Sequence, residues 1–215
     1  MAEKVREQLI DIAERLSVTR GLAAMTLRDV QLESGQRNKS VVQYYFGSRR
    51  GLIEAVMDAR MGPLNTQRLA VLEQLGDRAP TRGLVGALVL PLADAATRAP
   101  GSYWARFLLQ GSFDPTVRDL VRASFTASSY RAVRTKLIAS LDSVPPEVRS
   151  HRVDRMVEFM LVALASAEEA RNAGRLGEAD APRYVADLVD MCSAMLSAPA
   201  TWMAGGPVAP VGDGA

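Results

Sequence analysis

The stretch TLRDVQLESGQRNKSVVQYYFGSR, residues 26–49, decides how the rest of the chain is read. Thr26 stands three residues ahead of Asp29, a Thr-x-x-Asp spacing in which the hydroxyl caps an orphan amide and the carboxylate favours the positive end of the helix. A helix therefore starts at Leu27 and runs to about Ser34, where Gly35 breaks it. Gln36 and Arg37 form a turn, and Asn38 is placed to cap a short third helix through Tyr45. Ser48, after Gly47, caps a fourth helix with Leu52, Val56 and Ala59 on one face, ending near Gly62 and Pro63. Two short helices joined at a glycine turn, the second basic and polar, fit helix-turn-helix geometry, in which the second helix enters the major groove of DNA.

Working outward, Val5, Leu9, Ile12, Ala13 and Leu16 share one face of a first helix that Gly21 stops. Downstream, Gly and Pro punctuate segments of helical periodicity at about 64–76, 81–98, 101–112, 116–142, 146–173 and 181–198, and Pro91 is expected to kink or split the second of them. No run of alternating β-branched residues marks a strand. The class is all-α: a helix-turn-helix domain over 1–47 and a helical bundle over 48–198. The Gly/Pro-rich stretch 199–215 reads as a disordered tail.

The 215 residues are 48% hydrophobic, enough for a sizeable core. A single cysteine, Cys192, excludes an internal disulfide and any cysteine-based zinc cluster and suits a reducing cytoplasm. The longest apolar stretch, residues 83–93, is shorter than the roughly 18 residues that span a bilayer, and charged residues precede any apolar run, so neither a transmembrane helix nor a secretory signal is expected. The formal net charge is only +2. Between residues 15 and 50, however, Arg15, Arg20, Arg28, Arg37, Lys39, Arg49 and Arg50 face only Asp29 and Glu33, so all the excess positive charge lies in the first quarter. A polyanion would dock there, although a solvated basic face has the same composition.

Arg37, Asn38, Lys39, Ser40, Gln43 and Tyr44 carry the hydrogen-bonding chemistry that reads base edges, while Val41, Val42 and Phe46 can face inward. Together with Tyr45-Phe46-Gly47-Ser48-Arg49, the whole stretch resembles the DNA-binding signature of TetR-family transcriptional regulators, over about residues 5–60. The resemblance implies that Arg28 reaches a base or phosphate, that Asn38 to Tyr44 read the groove, and that Tyr45 and Arg49 touch phosphates. It also implies that Thr26 and Ser48 offer backbone amides to phosphates. The sequence departs from the family pattern in four places: one extra residue between Gly35 and Phe46, polar Gln31 and Ser34 where alanine is usual, Gln43 where a tyrosine is usual, and Gly51 where an acidic residue would complete a capping box.

The resemblance further implies a small-molecule effector in the bundle and a homodimer through the last two helices. Tyr103, Trp104, Phe107, Phe125, Tyr130, Met156, Phe159 and Met160 are the candidate ligand-binding residues, with Trp104 and Phe107 foremost; periodicity does not separate a pocket from a core. Val153, Val157, Leu161 and Leu164 on one helix, and Leu188, Cys192, Met195 and Leu196 on the next, form the stripes offered to a partner copy, or else an intramolecular core. A ligand-responsive repressor is the leading reading. A ligand-independent DNA-binding or protein-interaction module is the alternative, and an all-α enzyme the competing class. For an enzyme the sequence offers little: His151 and Cys192 lie in different helices without recognisable partners, Glu168 and Glu169 diverge by about 100° on a helix and read as solvated surface, and nothing calls for a metal or cofactor.

Overall fold

In the computed structural model, residues 2–36, 38, 40–98, 100–124 and 128–200 are described. Arg37, Lys39, Phe125 and residues 201–215 of the expected tail lie outside them. The described residues form helices and connecting loops, with no strand among them. In chain order the helices are α1 (Ala2–Arg20), α2 (Leu27–Glu33), α3 (Val41–Phe46), α4 (Arg49–Leu75), α5 (Thr81–Thr97), α6 (Trp104–Phe113), α7 (Arg118–Ser124), α8 (Ser128–Ser140), α9 (Pro146–Asn172) and α10 (Ala181–Ser197). None is long and apolar enough to cross a membrane.

Two expectations about helix bounds, for the third and the fourth helix, are corrected. The third helix starts at Val41, with Ser40 as its N-terminal flank, while Asn38 lies before it and accepts the Ser40 amide at 3.0 Å. The fourth does not stop at Pro63: α4 runs on to Leu75, because Met57, Met61 and Leu64 continue one buried face through the proline. At about 1.5 Å per residue it is about 40 Å long, so it belongs to both the N-terminal unit and the bundle. Nor does Pro91 split α5. A mid-helix proline costs about 3 kcal/mol, but Leu84, Leu88 and Leu92 are buried on the same helix, each contributing about 1.5–3 kcal/mol. The expected single helix over 116–142 is described as α7 and α8, with residues 125–127 outside the described residues.

α5 occupies the middle of the bundle and packs against α4, α6, α8, α9 and α10. α1 packs on α2, α4 and α6, and α3 is held between α2 and α4. One contiguous hydrophobic cluster runs from Leu9 through Val42, Leu52, Leu88, Phe107 and Met156 to Leu196, crossing the boundary expected at residue 47.

Gly51 shows how tightly α3 abuts α4. A Cβ built there would lie 2.2 Å from the Phe46 carbonyl oxygen, so no side chain fits and the acidic residue usual at this position is sterically excluded. Gly62, in the same helix, has nothing within 4 Å of a built Cβ. Alanine is favoured over glycine in a helix interior by about 1 kcal/mol. Gly51→Ala is therefore expected to lower the melting temperature well below that of Gly62→Ala, whose propensity gain is offset by the conflict between a Cβ and the following Pro63 ring, as read by thermal denaturation of the two variants.

Candidate nucleic-acid interface

The capping box inferred from Thr26 and Asp29 is formed. The Asp29 amide donates to Thr26 Oγ1 at 3.1 Å, and Asp29 Oδ2 accepts the Thr26 amide at 2.9 Å and the Thr26 hydroxyl at 2.6 Å. The Thr26 hydroxyl and backbone bonds hold the Asp29 carboxyl below the usual carboxylate range. The Thr26 amide is thus spent inside the box, and the Ser48 amide donates to Phe46 O at 2.7 Å. Neither is offered outward as the resemblance implied. Ser48 does cap α4, its hydroxyl accepting the Gly51 amide at 3.0 Å.

The two polar departures in α2 brace the lengthened turn. Gln31 Nε2 donates to Gln36 O at 3.1 Å, Ser34 Oγ donates to Gln31 O at 2.8 Å, and the Gln36 amide returns to Ser34 Oγ at 3.3 Å. Gly35, at φ +64°, makes the left-handed reversal that a side chain would strain. Arg49 also braces the fold: Nε donates to Met25 O at 3.0 Å and Nη2 to Leu22 O, closing the α1–α2 loop onto α4. Tyr45 is half-buried, its hydroxyl donating to Ala2 O at 3.2 Å.

What remains outward is Arg28, Asn38, Ser40, Gln43 and Tyr44, all exposed, with Tyr44 at 82%. Gln43 Nε2 donates to Gly47 O, leaving its amide oxygen outward as an acceptor. The Tyr44 ring meets Tyr45 edge-on at 5.4 Å. Both acids of this segment are already matched, Glu33 by Arg15 at 2.9 Å and Asp29 by Arg20 at 3.0 Å. Arg50 is paired with Glu54. Of the described cations in this segment, Arg28 is left exposed and outside any ion pair.

In the bundle, the expected effector and dimer residues divide differently. Trp104 and Phe107 stack on each other at 5.5 Å and are buried in the core, as are Met156 and Met160. Tyr103 lies under the Arg106 guanidinium at 4.9 Å, and Phe159 packs partly buried on the core. Among the described members of the set, Tyr130 borders a cavity flanked by α6, α7 and α9, and Trp104 borders another with Glu14, Arg60 and Pro91. Val153, Val157, Leu161, Leu164, Leu188, Cys192 and Leu196 are buried within the single chain, because the apolar stripes of α9 and α10 face each other and α5. Met195 is exposed, as is Met191. Burial pushes the Cys192 thiol up to about 11, which leaves it unreactive. His151 is exposed on α9, and no group of three or more potential metal ligands occurs among the described residues.

The sequence reading missed a carboxylate clamp on the first turn of α6. Glu168, read as solvated surface, is fully buried: Oε1 accepts the Ser102 hydroxyl at 2.7 Å and the Ala105 amide at 3.0 Å, and Oε2 accepts the Arg106 amide and Nε at 3.1 Å. From the other side, Glu14 of α1 accepts the Tyr103 amide at 3.1 Å and Arg60 Nε of α4 at 2.7 Å. The Arg60 guanidinium also bonds Asp11. Three elements of the N-terminal unit and bundle thus meet at one helix end.

The chain matches no protein-family model, and no curated protein is significantly similar to it.

Burial raises the Glu14 carboxyl above the ordinary glutamate range, against the opposing pull of Arg60 and the Tyr103 amide. The folded state then holds this proton to higher pH than the unfolded chain, so stability falls as pH rises from the unfolded value through the folded one. Urea denaturation from pH 4 to 7 is expected to show wild type losing stability relative to Glu14→Gln as pH rises. A pH-independent difference would refute the assignment.

Proposed function

We propose that this chain is a DNA-binding transcriptional regulator of the TetR type, a cytoplasmic repressor that binds a palindromic operator as a homodimer and is released by a small molecule. The observation that carries the reading is the outward polar face at α2–α3, where Arg28, Asn38, Ser40, Gln43 and Tyr44 are exposed beside unmatched positive charge. Arg37 and Lys39 of the same turn add to that charge in the sequence. Side chains of this chemistry on a short helix suit base edges, and the arginines suit phosphates. Twofold pairing would use the outward side of α10 around Met191 and Met195, since the opposite side is core. Two copies of α3 would then meet half-sites about one DNA turn, roughly 34 Å, apart. The effector part of the proposal rests on the cavity bordered by Tyr130, of about 590 Å³.

Selection of bound sequences from random duplex DNA, followed by gel shift across a salt series, tests this reading. A palindromic consensus bound with steeply salt-dependent affinity is expected. Gln43→Ala and Tyr44→Ala should alter sequence preference, whereas Arg28→Ala should weaken all sites and flatten the salt slope by about one. A folded protein that enriches no sequence would end the regulator reading.

A further inference from the structure

The cavity flanked by α6, α7 and α9 has a divided chemistry. Its walls are apolar, with Leu109 from α6, Val121 from α7, and Val157 and Leu161 from α9. At its edge Phe113 is 76% exposed and Val162 48%. Its two acids are already matched: Asp154 by Arg134 at 3.0 Å and Glu158 by Arg155 at 2.6 Å. Arg118 and Arg122, one helical turn apart on α7, also border it and form no ion pair among the described residues. Tyr130, also on its wall, is buried and lies in the combined fields of Arg134, Asp154 and Arg68. The Arg68 guanidinium is buried and, among the described residues, bonds the neutral Asn65 Oδ1 at 3.1 Å and Ser129 Oγ at 3.2 Å without an ion pair. A buried or clustered cation without a carboxylate favours an incoming anion.

We propose that this cavity takes an anionic amphiphile: a medium-length acyl chain against Leu109, Val121, Val157 and Leu161, with its carboxylate held at the rim by Arg118 and Arg122. The volume, about 590 Å³, falls within the range of small-molecule sites. The inference builds on the regulator reading by naming the effector's class, and the structure supplies a route from this site to the DNA-facing unit. Val121, a wall of the cavity, lies 2.8 Å from a Cβ built on Gly111 of α6, and Leu22 of the α1–α2 loop lies 3.8 Å from the same point. Only a glycine permits this three-way approach. Leu22 is the residue whose carbonyl holds Arg49. An acyl chain that shifts Val121 therefore presses, through Gly111, on the loop that braces α2 and α4.

Binding is measured on the full chain without DNA, so that its outcome is separate from that of the regulator reading. Isothermal titration below the micellar range would compare decanoate, decanol and decylamine for wild type, for Arg118→Gln with Arg122→Gln, and for Leu161→Trp. Decanoate is expected to bind at least about tenfold more tightly than decanol, with decylamine weakest. The double arginine variant, altered only on exposed residues, should lose that preference while binding decanol as before, and Leu161→Trp should block all three. Decanoate that fails to bind, decanol that binds equally well, or an arginine variant that keeps the preference would each overturn the proposal. Decanoate binding by a chain that selects no DNA would refute the regulator reading and leave this site standing.

Discussion

The arrangement of the whole chain depends on how the first turn of α6 is satisfied. A helix N-terminus leaves amides without intrahelical partners, and buried ones are costly unless something accepts them. Here two carboxylates from opposite sides do so: Glu168 of α9 takes Ala105 and Arg106, and Glu14 of α1 takes Tyr103. Burying a carboxylate costs several kcal/mol before compensation, and each acid is compensated by an arginine, Arg106 for Glu168 and Arg60 for Glu14. Because the three partners belong to α1, α4 and α9, the α6 terminus joins the N-terminal unit to the bundle. Gln110, lower on α6, extends the contact with a bond to Val18 O of α1 at 3.4 Å.

A six-residue helix such as α3 depends on its neighbours α2 and α4. An isolated helix of that length does not persist in water, since nucleation is costly and few hydrogen bonds follow. α3 survives because Val41, Val42 and Phe46 are buried and because its flanks are fixed by Gly35, the Gln31 and Ser34 brace and the Gly51 contact. With its inner face committed, Gln43 and Tyr44 are directed outward. The same economy governs charge: acids near α3 are paired with α1 arginines, so what remains unmatched is positive.

Local signals were legible in the sequence where chemistry is local. The Thr26–Asp29 box, the Gly21, Gly35 and Gly47 reversals and the apolar face of α1 all follow from spacing. What depended on tertiary context was not. Pro63 read as a stop and Pro91 as a kink or split, but packing along α4 and around α5 carries both helices through. The stripes of α9 and α10 suit a partner or a core equally, and only the fold shows them facing inward. Trp104 and Phe107 read as a pocket because aromatic content does not reveal whether the rings fill their own space. Glu168 could have been found: it lies four residues after Leu164, on the stripe of Val157, Leu161 and Leu164, and a carboxylate on such a stripe is a buried acid in want of donors. Arg49 gave no such sign, since its carbonyl partners come from a loop more than twenty residues earlier.

The most direct test of the clamp at α6 is hydrogen exchange read by mass spectrometry on wild type and Glu168→Gln under native conditions. If the α6 terminus joins the two parts, weakening the acceptor in the bundle should speed exchange in peptides covering α6 and also in those covering residues 22–35 of the N-terminal unit, which Glu168 does not touch. Faster exchange confined to α6 and α9, with residues 22–35 unchanged, would contradict it and leave the N-terminal unit independent of the bundle.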